Sequence, residues 1–332
     1  MKSIFKKKWR MITLQFFFAI GFLYLTCRSV NFKLVATSIA NINYWVLAFA
    51  LVPQGISFLL LAAREKYLLS DLYTFSFIDL MKGVFISFVG NNILPLRAGE
   101  FLKAYYWANR SGCAYVSLMS IALLERVLDL IVLVILFFVG SKTILVHLGV
   151  HSSWLIFACL IIAIMIFLLF LWDKKTNQEI ILHPHLQTIL GKKISQICQH
   201  FLSNVVNGLR VLKSTRYIVF AMLFTILYWI MNLAGLYLML QAFHLSFTLS
   251  EYIVLLLATS LGAAIPSAPG YIGTYDYFTK MPLVFYGINA SIAVSFALIS
   301  HALQIIPFTI IGLFFVLGPI QSLLKSKQFN SQ

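Results

Sequence analysis

The sequence predicts an all-α polytopic membrane protein, with about six full spans plus two re-entrant or broken-helix elements arranged like an inverted repeat. Three observations carry this reading. Of the 332 residues, 61% are hydrophobic and only 11% are charged, whereas soluble chains carry about a quarter charged residues. Apolar runs approaching the roughly 20 residues needed to cross a hydrocarbon layer recur along the whole chain. Lys and Arg gather at the flanks of those runs, as expected where loops meet anionic lipid. No stretch alternates like a separate globular unit, so 1–332 reads as a single integral membrane domain.

The first apolar segment, 11–26, follows a basic start of Lys2, Lys6, Lys7, Lys8 and Arg10. It lacks a small-residue cleavage site, which predicts a retained span with its basic end in the cytoplasm. Further segments fall at 43–63, 76–94, 114–140, 152–172, 217–241, 251–265 and 290–318. Eight complete crossings would place the 173–216 connection outside, with Lys174, Lys175, Lys192, Lys193, Arg210, Lys213 and Arg216 on it. The positive-inside rule opposes that arrangement.

The conflict disappears if 76–94 enters and leaves on the cytoplasmic side and 251–265 turns back on the outer side. Both termini are then cytoplasmic, in a bacterial inner (cell) membrane. Re-entrant backbone must be enclosed by protein or line a wet cavity, because lipid cannot satisfy its polar groups. The repeat halves are 40–172 and 217–318, joined by 173–216. On that connector Ile189, Ile194, Ile197, Phe201 and Val205 have helical spacing, predicting a surface-lying amphipathic helix. Such a helix serves either as a solvated connector or as a docking face for an envelope enzyme.

The turns after the two broken elements share a pattern. Leu94-Pro95-Leu96-Arg97-Ala98-Gly99-Glu100 follows the first and Ile265-Pro266-Ser267-Ala268-Pro269-Gly270 the second, each with Gly four residues after Pro. Pro95, Gly99, Pro266, Pro269, Gly270 and Gly273 are the candidate hinges. Ordinary helix-ending turns use the same residues.

Charges inside such a chain are costly and mark candidate sites. Arg97, Glu100 and Lys103 lie three residues apart and share a face if a helix follows Pro95. Arg97 can offer two parallel donors to phosphate or carboxylate, and Lys103 a more flexible charge; a structural arginine snorkelling to the interface needs no ligand. Glu125, Arg126 and Asp129 sit within the 114–140 segment at helical spacing, either as part of a substrate route or as a structural network. Asp276 and Lys280, one turn apart beyond the second break, form either an ion pair at a helix junction or part of a phosphate site. His301 and Gln304 either meet substrate or hydrogen-bond between helices, and Asn232 reads as a hydrogen bond between helices.

The net charge of +15 comes without a zinc-finger spacing, recognition helix or basic stripe, so nucleic acid is not a predicted partner. Cys27, Cys113, Cys159 and Cys198 have no metal-site spacing. Neither a cofactor nor a metal is expected.

The motifs Leu94-Pro95-Leu96-Arg97-Ala98-Gly99-Glu100, Glu125-Arg126-Val127-Leu128-Asp129 and Pro266-Ser267-Ala268-Pro269-Gly270-Tyr271-Ile272-Gly273, in this order, resemble the membrane region of lysylphosphatidylglycerol synthases and its stand-alone flippase-like relatives. The resemblance covers about residues 10–320. It implies movement of an anionic phospholipid or polyprenyl-linked lipid between leaflets, with membrane phospholipid or lipid-linked sugar as partner. Arg97 would engage phosphate, with Glu100, Glu125, Arg126 and Asp129 as the polar route. Two departures stand out: Tyr271 replaces a second consecutive Gly, and Asp276 a Glu. A membrane glycosyl- or acyl-transferase and a non-transporting scaffold are the alternative readings.

Overall fold

The computed structural model describes residues 15, 17–28, 30–94, 97–148, 184–265 and 267–329. The regular structure among them is helical. In chain order the helices are α1 (Phe17–Cys27), α2 (Phe32–Ala40), α3 (Tyr44–Leu68), α4 (Phe77–Ile93), α5 (Gly99–Ser111), α6 (Tyr115–Leu148), α7 (Pro184–Gly208), α8 (Thr215–Ala242), α9 (Leu249–Ala264), α10 (Thr274–Phe285) and α11 (Ala290–Phe329).

Helix starts follow local chemistry. Asn31 caps α2 by accepting from the amides of Lys33 and Leu34 at 3.0 and 3.3 Å. Ser76 caps α4 through the Asp79 amide, and Thr248 and Glu251 form a reciprocal capping box on α9. Each side chain satisfies amides that a helix start leaves without a partner.

The expected count of six full spans plus two re-entrant elements is corrected by the structure. Among the described residues three helices are long and apolar enough to cross a membrane: Tyr44–Leu68, Thr215–Ala242 and Ala290–Leu317. There are up to four if α1 and α2, bent by 81°, make one broken span. The reasons are physical. Helices α4 and α9 have 17 and 16 residues, about 25 Å at 1.5 Å per residue, and stop short of a full hydrocarbon layer. Helix α6 is long, but Glu125, Arg126 and Asp129 fall in every eighteen-residue stretch of its 115–140 part. The expected 152–172 segment lies outside the described residues.

Both Pro- and Gly-bearing turns break the helix. At the first, Pro95 and Leu96 lie outside the described residues, and Arg97 adopts φ 53°. Helix α5 then doubles back on α4, so that Gly83 abuts the Trp107 indole and Gly90 meets Gly99. Gly99 is required by that approach, since a Cβ there would stand 1.9 Å from the Ser87 carbonyl oxygen. The buried Asn91 side chain accepts from the Gly99 amide at 2.9 Å. At the far end Asp79 accepts from Tyr106 and Arg110 at 3.0 and 3.1 Å.

At the second break Pro266 is outside the described residues. Pro269–Tyr271 forms a 3-10 turn, in which Gly270 and Tyr271 adopt φ 68° and 60°. Gly273, at φ 87°, begins α10 beside α1; a Cβ there would lie 2.5 Å from the Ala19 carbonyl oxygen. Helix α10 packs back on α9.

Two apolar cores flank the middle of the bundle. In one, the Phe58 ring lies between Phe85 and Phe308 at 4.8 and 4.9 Å, close to the fully buried Trp107. The other gathers Trp229, Leu240, Leu255 and Phe296. The outer surface is also apolar, with Trp45 81% and Phe314 76% exposed, as spans that face lipid require. The connector places α7 against α6, where the Ser117 hydroxyl donates to the Asn204 carbonyl at 2.7 Å. Phe201 on α7 is exposed, while the side chains of Ile189, Ile194 and Ile197 lie outside the described set.

Candidate functional site

Between the two cores α3, α5, α6 and α8 enclose a group of charges. Arg64 and Glu65 come from α3, Glu100 and Lys103 from α5, and Glu125, Arg126 and Asp129 from α6. Arg64 donates to Glu125 at 3.0 Å and to Asp129 at 2.9 Å. Lys103 reaches Glu65 at 2.8 Å, both Glu125 oxygens at 2.8 and 2.9 Å, and Glu100 at 3.2 Å. Arg126 pairs with Glu100 and approaches Asp129 at 3.7 Å. The Trp229 indole N–H also donates to Asp129, at 3.3 Å.

Arg64, Glu65, Lys103 and Glu125 are 3% exposed or less. Burying charge is tolerable only when each group has opposite partners close by. Here each carboxylate meets at least one cation, and Lys103 alone serves three of them. Arg97 completes the balance, making four basic and four acidic side chains on one cavity wall. Among the described ion pairs Arg97 has no carboxylate partner; its guanidinium lies 5.3 Å from the centre of the Tyr271 ring. The positive charge of one break thus rests on the aromatic face of the other.

These side chains line a cavity of about 220 Å³. It adjoins a second, of about 300 Å³, shared through Gln54, Arg97, Arg126, Asp129, Asn232 and Gln304.

Six of the residues expected at the site, Arg97, Glu100, Lys103, Glu125, Arg126 and Asp129, are therefore brought together. Asp276 and Lys280 are not part of this cluster, and they do not pair with each other. Asp276 accepts from the Gly273 amide at 3.0 Å and lies 2.8 Å from His301 Nδ1. Lys280 donates to the Thr26 and Leu25 carbonyls at 2.7 and 3.3 Å, at the C-terminal end of α1. His301 and Gln304 join α11 to the second break as expected, with Gln304 donating to the Tyr275 hydroxyl at 2.7 Å. Asn232 instead donates within α8, to the Tyr228 carbonyl at 2.8 Å, and faces the cavity.

Sequence reasoning missed Arg64 and Glu65 because the apolar segment was ended at its first charge, placing both in a loop. The signal was present: no Gly, Pro or cap residue interrupts the run from Phe58 to Leu68. Tyr228 and Trp229 were missed because aromatic residues in a span need no polar explanation. Among the described residues no group of His, Cys, Asp and Glu is placed to hold a metal ion.

The fold and the site together define a multi-pass helical membrane protein with a charged, ion-paired interior cavity. The chain belongs to the family described as the lysylphosphatidylglycerol synthase TM region, which it matches over residues 12–312. No curated protein matches the chain.

Proposed function

We propose that this protein moves the headgroup of an anionic phospholipid or polyprenyl-linked lipid between leaflets through the charged cavity. The observation that carries this reading is Arg97. Every other charged side chain in the cluster has an ionic partner, whereas Arg97 lines the cavity beside Tyr271 with no carboxylate partner among the described ion pairs. The paired donors of a guanidinium suit phosphate or carboxylate, and phosphate is the one that phospholipids and prenyl-phosphate lipids share. The surrounding ion pairs hold the wall open and polar while acyl chains remain in lipid.

Family membership supports a lipid-handling role. The transferase reading has candidate acids in Glu100 and Asp129, but both are committed to ion pairs, and a general acid or base must be free to exchange its proton with substrate. The scaffold reading rests on α7, whose face against α6 is already occupied.

The test is reconstitution in liposomes holding fluorescent lipids with zwitterionic, anionic or prenyl-phosphate-linked headgroups, read by leaflet accessibility beside empty vesicles. Exchange selective for phosphate-bearing anionic lipids, lost in R97A, is the expected outcome. Exchange that ignores headgroup, or that survives R97A undiminished, overturns the assignment of Arg97. No exchange of any lipid by folded, oriented protein overturns the translocation reading itself.

A further inference from the structure

Away from the charge cluster, His301 on α11 is 8% exposed and Asp276 on α10 is 2% exposed. The imidazole makes two short contacts, Nδ1 to Asp276 Oδ1 at 2.8 Å and Nε2 to the Gly270 carbonyl oxygen at 2.7 Å. A carbonyl oxygen only accepts, so Nε2 must carry a proton. The contact at Nδ1 then also needs a proton, held either by the imidazole or by the carboxyl group. The pair is thus neutral overall and holds one proton more than a neutral imidazole beside a carboxylate.

Removing that proton leaves a choice the geometry cannot satisfy. With Nε2 protonated, the bare Nδ1 faces a carboxylate, two acceptors 2.8 Å apart. With Nδ1 protonated, the bare Nε2 faces the Gly270 oxygen, two acceptors 2.7 Å apart. One contact must open in either case.

The contact to Gly270 matters because it holds the peptide that joins Gly270 to Tyr271, both at positive φ. Tyr271 is not glycine, and an aromatic residue keeps this strained conformation only where its surroundings hold it there. The Tyr271 ring is the face on which Arg97 rests. The pair is also packed against the cavity wall: the Tyr275 ring stacks on His301 with centroids 4.4 Å apart, and Gln304, which bonds the Tyr275 hydroxyl, lines the cavity.

We infer that Asp276 and His301 form a proton-binding site that couples proton release to unlatching of the second break, and so to movement of Tyr271 beneath Arg97. On release the proton passes to water; the proton that remains on the imidazole sits at Nδ1, facing the carboxylate as the stronger acceptor, so the Gly270 carbonyl loses its donor. This rests on the lipid-translocation reading, in which it assigns a proton as the coupling ion.

The other ionisable groups on the packed elements are accounted for. Helix α10 adds Tyr275, Tyr277 and Lys280, the last held by α1 carbonyls. Helix α9 has Glu251, engaged at the Thr248 cap, and Tyr252, bonded by Gln241. Helix α1 has Tyr24 and Cys27, α2 has Lys33, and α4 has Lys82 and Asp79, the latter bonded to Tyr106 and Arg110. Helix α3 carries Tyr44, Lys66, Tyr67 and the cluster residues Arg64 and Glu65. Among the described side chains of α11, His301 is the one ionisable group.

Two measurements test the inference. In vesicles of phosphatidylglycerol and phosphatidylethanolamine with acyl-labelled phosphatidylglycerol as probe, a transmembrane pH gradient is imposed and the final leaflet distribution is read beside empty vesicles. One proton per lipid shifts that distribution by about tenfold per pH unit of gradient. D276N can keep both contacts with a neutral imidazole, its amide donating to Nδ1, so its distribution should not follow the gradient even if its rate differs. In lipid nanodiscs, proton NMR should show a far-downfield resonance from the shared Asp276–His301 proton in the wild type, missing from both D276N and H301Q.

Exchange with a distribution that ignores the gradient, or that follows it equally in D276N, overturns the coupling. A wild type without the downfield proton overturns the site. No exchange while that resonance is present overturns the translocation reading and leaves the proton site standing.

Discussion

At the scale of single residues the cluster separates groups that hold the fold from the group free to bind. Glu125 faces both Arg64 and Lys103, so E125Q leaves two buried cations short of their counter-charge. We expect it to cost about 3–5 kcal/mol, seen as a large fall in thermal stability in detergent, because an uncompensated buried charge is far worse than a missing pair. Arg97 behaves oppositely. R97A removes a cation–π contact of about 1 kcal/mol, and R97G in addition relieves a positive-φ residue of comparable cost. Both should melt within a few degrees of the wild type while losing lipid exchange. A melting temperature for R97A as low as that of E125Q would place Arg97 among the structural charges instead.

Among the elements, the two breaks depend on contacts too close for any side chain. G99A should drive α4 and α5 apart, since its Cβ would overlap the Ser87 carbonyl oxygen. We expect a loss of about 3 kcal/mol or more, read as poor recovery of monodisperse protein by fluorescence-detected chromatography. T248A removes one half of the α9 capping box and should cost about 1 kcal/mol, a small shift in the same assay. Equal effects of the two substitutions would mean that the first break is not closely packed. The breaks were legible in the sequence as Pro-to-Gly spacings, and the helix bounds of α4 and α9 fall within a few residues of the expected 76–94 and 251–265. What followed each break was less legible. Helices α5 and α10 are short and carry polar side chains, so they lack the sustained apolar run that announces a span, and tertiary packing rather than propensity holds them.

Viewed whole, the molecule is apolar inside and outside with a polar seam between. Exposed apolar positions on the long helices should therefore be intolerant of charge. Ile306, 55% exposed near the middle of the Ala290–Leu317 span, is such a position. I306R should raise the insertion free energy by about 3 kcal/mol, measurable by glycosylation mapping of membrane insertion. Unchanged insertion would mean that this face meets water or protein rather than lipid.

Composition and the long apolar runs were enough to establish a helical membrane protein, because the cost of exposing so much apolar surface to water leaves no other class. The charge triplets and broken turns likewise marked where unusual chemistry lies, since each violates a local rule. The number of full spans, the joining of Arg64 and Glu65 to the cluster, and the separation of Asp276 from Lys280 were decided only in three dimensions. A charge at the end of an apolar run can snorkel to water, pair across the bundle or cap a neighbouring helix at similar local cost. Which of these wins depends on what stands within about 4 Å from other helices, and that distance is a property of the packed fold alone.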